Sequence, residues 1–140
     1  EPVSGVRVLG GVTLLDGKLK KTLGGANDGN TAPGVAKVNA NLGMEWDVTA
    51  VPGFTWTART IYTSDQYVDA ANTREIPDWA RLDLGARYRF VSAGKNVTLR
   101  ATVDNVLDKH YWATVSTSDS VNGLTYGTPR MAFFSATVDF

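Results

Sequence analysis

Six stretches of this chain alternate apolar and polar residues, and that repetition limits the possible folds more than any other feature. In AKVNANLGMEWD, Ala36, Val38, Ala40, Leu42, Met44 and Trp46 share one side. Lys37, Asn39, Asn41, Gly43, Glu45 and Asp47 share the other. FTWTARTIYT sets Phe54, Trp56, Ala58 and Tyr62 against Thr55, Thr57 and Arg59. RLDLGARYRF sets Leu82, Leu84, Ala86, Tyr88 and Phe90 against Arg81, Asp83, Gly85, Arg87 and Arg89. VTLRATVD and MAFFSATVDF continue the pattern, and VRVLGGVTLL carries it with Leu9 and Leu15 out of phase. A period of two is the side-chain period of a β-strand with one apolar and one polar face. No capping box is followed by a helical apolar stripe, so the fold class is all-β.

The connections alternate as well. VTAVPG and VSAGK are short, whereas Asp16 to Gly34, Ser64 to Trp79 and Asp108 to Thr128 are long and polar. Strands of about ten residues, with tight turns at one end and long loops at the other, describe an antiparallel transmembrane β-barrel wall. A soluble sandwich also alternates, but its strands average only about five or six residues. The polar face here carries Arg81, Asp83, Arg87, Arg89, Arg100 and Asp104, which suit a wet lumen better than a packed interior. Trp46, Phe54, Trp56, Tyr62, Trp79, Phe90 and Phe140 fall near strand ends, where aromatic girdles meet the lipid interfaces. A closed barrel needs about eight strands. Six therefore leave three options: strands hidden in the long loops, closure by oligomerisation, or a section of something larger.

Composition removes several functions. Fourteen basic and fourteen acidic residues give zero formal net charge, so no nucleic-acid partner is expected. The chain has no cysteine and a single histidine, His110, which leaves no thiolate chemistry and no multi-histidine metal site. No serine-histidine-aspartate context, HExxH or phosphate loop is present, so no catalytic residue is expected. His110 reads as a loop histidine of no special role. Asp83 and Asp104 lie among Arg81, Arg87 and Arg100, and read as members of lumen-facing ion pairs, not as a catalytic pair. The opening EPVSGVRVLGG has no signal-peptide pattern, and reads as a mature end or as a cut within a longer protein.

Three ordered segments, IPDWARLDLGARYRF, LRATVDNVLDKHYWA and YGTPRMAFFSATVDF, resemble the TonB-dependent outer-membrane receptors, with the ferric-siderophore branch the nearer fit. The motif positions are Asn105, Asp108 and Tyr111 in the second segment and Gly127, Pro129 and Arg130 in the third. The resemblance is strongest from Ile76 to Phe140; residues 1–75 match in pattern more than in motif. It implies that residues 1–140 are the C-terminal six strands of a receptor barrel in the outer membrane of a Gram-negative bacterium. The plug domain and the segment that meets the TonB energy-transducing complex would lie outside this chain. The short turns would be periplasmic and the loops extracellular. Phe140, with Val138, Ala136 and Phe134 on its face, would be the signal read by the barrel-assembly machinery, in contact with outer-membrane lipid. The implied activity is uptake of ferric siderophores. Haem or cobalamin uptake, a small structural outer-membrane barrel and a soluble β domain are the alternatives. No cofactor or protein metal site is expected, because iron would arrive inside a siderophore chelate. Tyr126 lies where the siderophore branch places an aromatic residue, and Trp112, Tyr111 and Tyr67 are further candidates for substrate contact. The asparagine and aspartate of the second segment are expected to shape a strand exit, since both side chains bond local backbone.

Overall fold

The computed structural model describes residues 4–117 and 122–139. Its strands in chain order are β1 (Val6–Leu14), β2 (Val38–Asp47), β3 (Phe54–Thr63), β4 (Gln66–Tyr67), β5 (Glu75–Ile76), β6 (Trp79–Ser92), β7 (Lys95–Asp104), β8 (Trp112–Thr117), β9 (Asn122–Tyr126) and β10 (Met131–Asp139). Six of them form one antiparallel meander in the order β1-β2-β3-β6-β7-β10, matching the six alternating stretches. The strands hidden in the loops do not add to this wall. They pair with each other, β4 with β5 and β8 with β9, as separate two-stranded ribbons. Among the described residues β1 and β10 do not pair with each other, so each leaves an open edge of the sheet. No helix among them is long and apolar enough to cross a membrane, a fact that has no bearing on strands that cross.

Register carries the alternation across the sheet. Val8, Met44, Ala58, Leu84, Val103 and Ala132 stand in one continuous transverse row. The next row on that face runs Val6, Trp46, Trp56, Ala86, Ala101 and Phe134. The opposite face carries Asp47, Thr55, Arg87, Arg100 and Ser135 in one such row. A slip of one residue in any strand would break every row, because it would exchange the two faces of that strand.

Burial is inverted relative to a soluble domain. The buried apolar side chains among the described residues are Ala36, Ile76, Tyr111 and Val115, all of them in the loops. Val8, Leu42, Met44, Trp46, Trp56, Leu84 and Phe134 on the sheet are exposed. A contiguous apolar surface of this extent needs a non-aqueous neighbour, and a closed sheet facing lipid provides one. Leu84→Arg therefore should destabilise the wall by about 2–4 kcal/mol, the cost of a cation at mid-bilayer depth. Thr102→Arg, on the polar face, should be tolerated. Urea unfolding of the two variants in lipid vesicles checks the difference.

One group of aromatics lies at the short-turn end. Phe54 meets Trp56 edge-on at 5.1 Å, and Tyr88 stacks on Phe90 at 5.3 Å. Trp79 departs from the expected girdle. It lies in register with Thr63 on the polar face, and its ring packs on Tyr111 at 4.4 Å. Ala36 likewise precedes β2 and is buried among the loops instead of facing lipid. The β6–β7 connection is tighter than VSAGK suggested. It is the two-residue turn Ala93-Gly94, with φ of 50° and 75°, which suits the twist of a hairpin.

Candidate functional site

The polar face is laced by ion pairs. Arg7 bridges Glu45 at 2.9 Å and Asp47 at 3.0 Å, and Arg87 reaches Glu45 at 3.2 Å. The Thr55 hydroxyl donates to Asp47 at 2.7 Å. Arg81 holds Asp83 through two contacts of 3.0 Å. Of the charges expected to pair here, Arg81, Asp83 and Arg87 do so. Arg100 and Asp104 form no ion pair among the described residues. Such pairs in a wet lumen add little stability each, but they fix which way the long side chains lie.

The family-motif residues converge at one place, the two ends of the loop between β7 and β10. Asn105 is fully buried and sits at φ 52°, a left-handed conformation that asparagine tolerates. Its Nδ2 donates to the carbonyls of Lys109 at 2.9 Å and Thr128 at 3.0 Å. Its Oδ1 accepts from the Lys109 amide at 2.9 Å, and its own N–H donates to Asp83 at 2.8 Å. Asp108, also left-handed, accepts from the Arg130 amide at 3.1 Å and lies 3.5 Å from its guanidinium. The Tyr111 ring lies flat on Gly127, where an added Cβ would meet ring carbons at 2.3–2.5 Å. Pro129 falls between, outside the ladder, just before β10. The six positions thus form a clasp that brings the loop ends together over the strand exit.

Of the four candidates for substrate contact, two meet. Trp112 on β8 and Tyr126 on β9 are exposed and packed edge-on at 5.3 Å. The Tyr126 hydroxyl lies 2.7 Å from His110 Nδ1, so His110 joins this cluster. Tyr111 is buried in the clasp, with its ring tilted against Trp79. Tyr67 is half-buried on β4, with no ring contact to the cluster among the described residues. Phe134, Ala136 and Val138 lie exposed on the apolar face of β10, while Phe140 lies outside the described residues. Sequence reasoning passed over Gln66 and Asn72, whose partners are distant in the chain, and set Trp79 in the girdle. The parity of Trp79 with Arg81 and Asp83 was the available signal.

The second loop is closed on itself by Asp69. Its carboxylate accepts from the Thr73 hydroxyl at 2.7 Å and the Arg74 amide at 2.9 Å. These bonds, the hydroxyl first, hold its pKa below the usual aspartate range. A lowered folded pKa contributes order above the unfolded value that is lost as pH falls through the folded one. The Thr73 and Arg74 amide proton shifts should therefore stay native-like through about pH 4 and change only below it. Nuclear magnetic resonance of the receptor in nanodiscs checks this.

An open six-stranded wall with a lipid-type apolar face, a charged inner face and clasped loops at one end defines a section of an outer-membrane β-barrel. The family model "TonB dependent receptor-like, beta-barrel" matches residues 4–106, and the chain belongs to this family. The match extends through residues 4–75, where the motifs were weakest. Membership places the chain in the outer membrane of a Gram-negative bacterium. The ferrichrome receptor FcuA of Yersinia enterocolitica is 40% identical over all 140 residues, which span 18% of its length. The probable TonB-dependent siderophore receptor PiuA of Acinetobacter baumannii is 35% identical over 112 residues, 73% of this chain and 14% of that protein. The crystal structure of BauA, the ferric preacinetobactin receptor of Acinetobacter baumannii, superposes with a TM-score of 0.87 at 40% identity, over 99% of this chain and 20% of that one.

Proposed function

We propose that this chain is a wall section of a receptor that takes up a ferric siderophore across the outer membrane. The observation that carries the reading is 40% identity along the whole chain to a ferrichrome receptor. The open edges of β1 and β10 would pair with further strands of the same barrel, since an unpaired edge in lipid costs several kcal/mol per polar group. The short turns face the periplasm and the three loops face outside. Exposed Trp112 and Tyr126 offer aromatic walls to a bulky chelate. Iron arrives already coordinated, so the wall needs neither a resident cofactor nor a metal ligand. Energy comes from a TonB-type complex through a part of the receptor outside this chain. The barrel-assembly machinery inserts the strands, with Phe134, Ala136 and Val138 turned to lipid.

An immunoblot of outer membranes from the bacterium that carries this sequence, with antibody against the chain, tests the reading. A band several times larger than the chain that rises on iron starvation is expected. A large band indifferent to iron moves the cargo away from siderophores. A band of the chain's own size favours a small structural barrel.

A further inference from the structure

The backbone on both sides of His110 is anchored by the clasp. The Lys109 amide donates to Asn105 Oδ1 at 2.9 Å, and the carbonyl of buried Tyr111 accepts from the Gly127 amide at 2.8 Å. Tyr126 precedes Gly127 and stands opposite Trp112 in the β8–β9 ribbon. His110 and Tyr126 therefore sit on fixed backbone, although both side chains are exposed. They meet across the two loop ends, with the Tyr126 hydroxyl 2.7 Å from His110 Nδ1 and the rings inclined at 33°. Trp112 packs edge-on against the same Tyr126 ring at 5.3 Å. Among the described residues, neither the His110 ring nor the Tyr126 hydroxyl has a second hydrogen-bond partner, and His110 joins no ion pair.

We propose that His110 determines how Tyr126 meets the cargo. Its Nδ1 accepts the hydrogen bond of the Tyr126 hydroxyl, which leaves the Tyr126 oxygen as an acceptor and His110 Nε2–H as a donor, side by side at the surface. The identity of the cargo rests on the siderophore reading; the pair itself does not. A separation of 2.7 Å is at the short limit for a ring N–H donor and ordinary for a hydroxyl donor. With Nδ1 as the acceptor, the neutral ring keeps its proton on Nε2. An exposed phenol on its own can turn its hydroxyl either to donate or to accept. Here that freedom is removed before the cargo arrives, and the ordering cost of the contact falls with it. The chemistry that fits is a chelate that offers an oxygen to Nε2–H and an amide N–H to the Tyr126 oxygen, laid against the Tyr126 and Trp112 rings. A chelate edged with oxygens alone would set an acceptor against the Tyr126 oxygen and bind less well.

Binding of a panel of ferric hydroxamate, catecholate and carboxylate siderophores to the full receptor in detergent, read by quenching of tryptophan fluorescence, tests this. His110→Ala and Tyr126→Phe should each weaken binding of the preferred chelate about tenfold, and the double variant no more than either alone, because each breaks the same unit. His110→Asn, whose Oδ1 stands in for Nδ1 but which has no counterpart of Nε2–H, should fall between. Unchanged affinity in His110→Ala, or losses that add in the double variant, overturns the proposal. Nitrogen nuclear magnetic resonance of His110 in the unliganded receptor supplies a signature that packing alone would not produce: an unprotonated Nδ1 whose shift moves in Tyr126→Phe. A proton on Nδ1 of the neutral ring overturns the proposal, and that measurement needs no variant of His110 to assemble. If the wild type binds no member of the panel, the siderophore reading fails, and the nitrogen signature decides the His110–Tyr126 assignment alone.

Discussion

Asn105→Ala should destabilise the receptor wall and its longest loop by about 3–5 kcal/mol. The substitution removes two donated bonds and one accepted bond, leaving the Lys109 amide and the carbonyls of Lys109 and Thr128 without that partner. The site is fully buried, so water does not replace them at once. Alanine is also less comfortable than asparagine at φ 52°. Asn105→Asp sharpens the test. It retains the acceptor facing the Lys109 amide but turns a donor into a carboxylate oxygen against two carbonyls. Most of the loss should remain. Urea unfolding in vesicles reads the energy, and trypsin cleavage after Lys109 reads the loop. Near-wild-type behaviour of both variants would show that the clasp does not hold the loop ends.

Gly53→Ala should cost about 2–6 kcal/mol, from a left-handed backbone at φ 84° and from a collision that nothing flexible can relieve. An added Cβ would lie 2.1 Å from the Arg89 carbonyl oxygen, on the neighbouring strand. The Gly53 carbonyl accepts from the Arg89 amide at 2.9 Å, so the residue begins the β3–β6 ladder. Displacing it strains the adjacent Phe54–Tyr88 pair and the aromatic band at the turns. Gly127→Ala should be milder. Its added Cβ meets the Tyr111 ring, a side chain that can turn at the expense of its packing on Trp79. The folded fraction after refolding into vesicles, read by heat-dependent gel mobility, should rank Gly53→Ala below Gly127→Ala.

The wall was legible because each strand states its own faces. Leu82, Leu84 and Ala86 against Arg81, Asp83 and Arg87 need no partner to be read, and lipid on one side keeps the period at two. Asn105 and Asp108 were legible as turn residues, because their side chains favour local backbone bonds and left-handed φ. The loops were not. Gln66 and Asn72 look like ordinary polar loop residues, and only a fold that brings 66 to 115 and 72 to 31 gives them buried partners. Ala36 continued the alternation of β2 in the sequence, yet it precedes the strand and is buried. His110 had no local signal for the Tyr126 hydroxyl sixteen residues away.

Cargo is the centre of the account, and radioiron uptake measures it. Cells that rely on the receptor containing this chain should accumulate iron from at least one member of a panel of ferric siderophores in a TonB-dependent way. Disrupting the gene within this segment should abolish that uptake, and the intact gene should restore it. Unchanged uptake of every siderophore of the panel in the disrupted strain, together with lost haem or cobalamin uptake, would contradict the siderophore assignment while leaving the barrel in place.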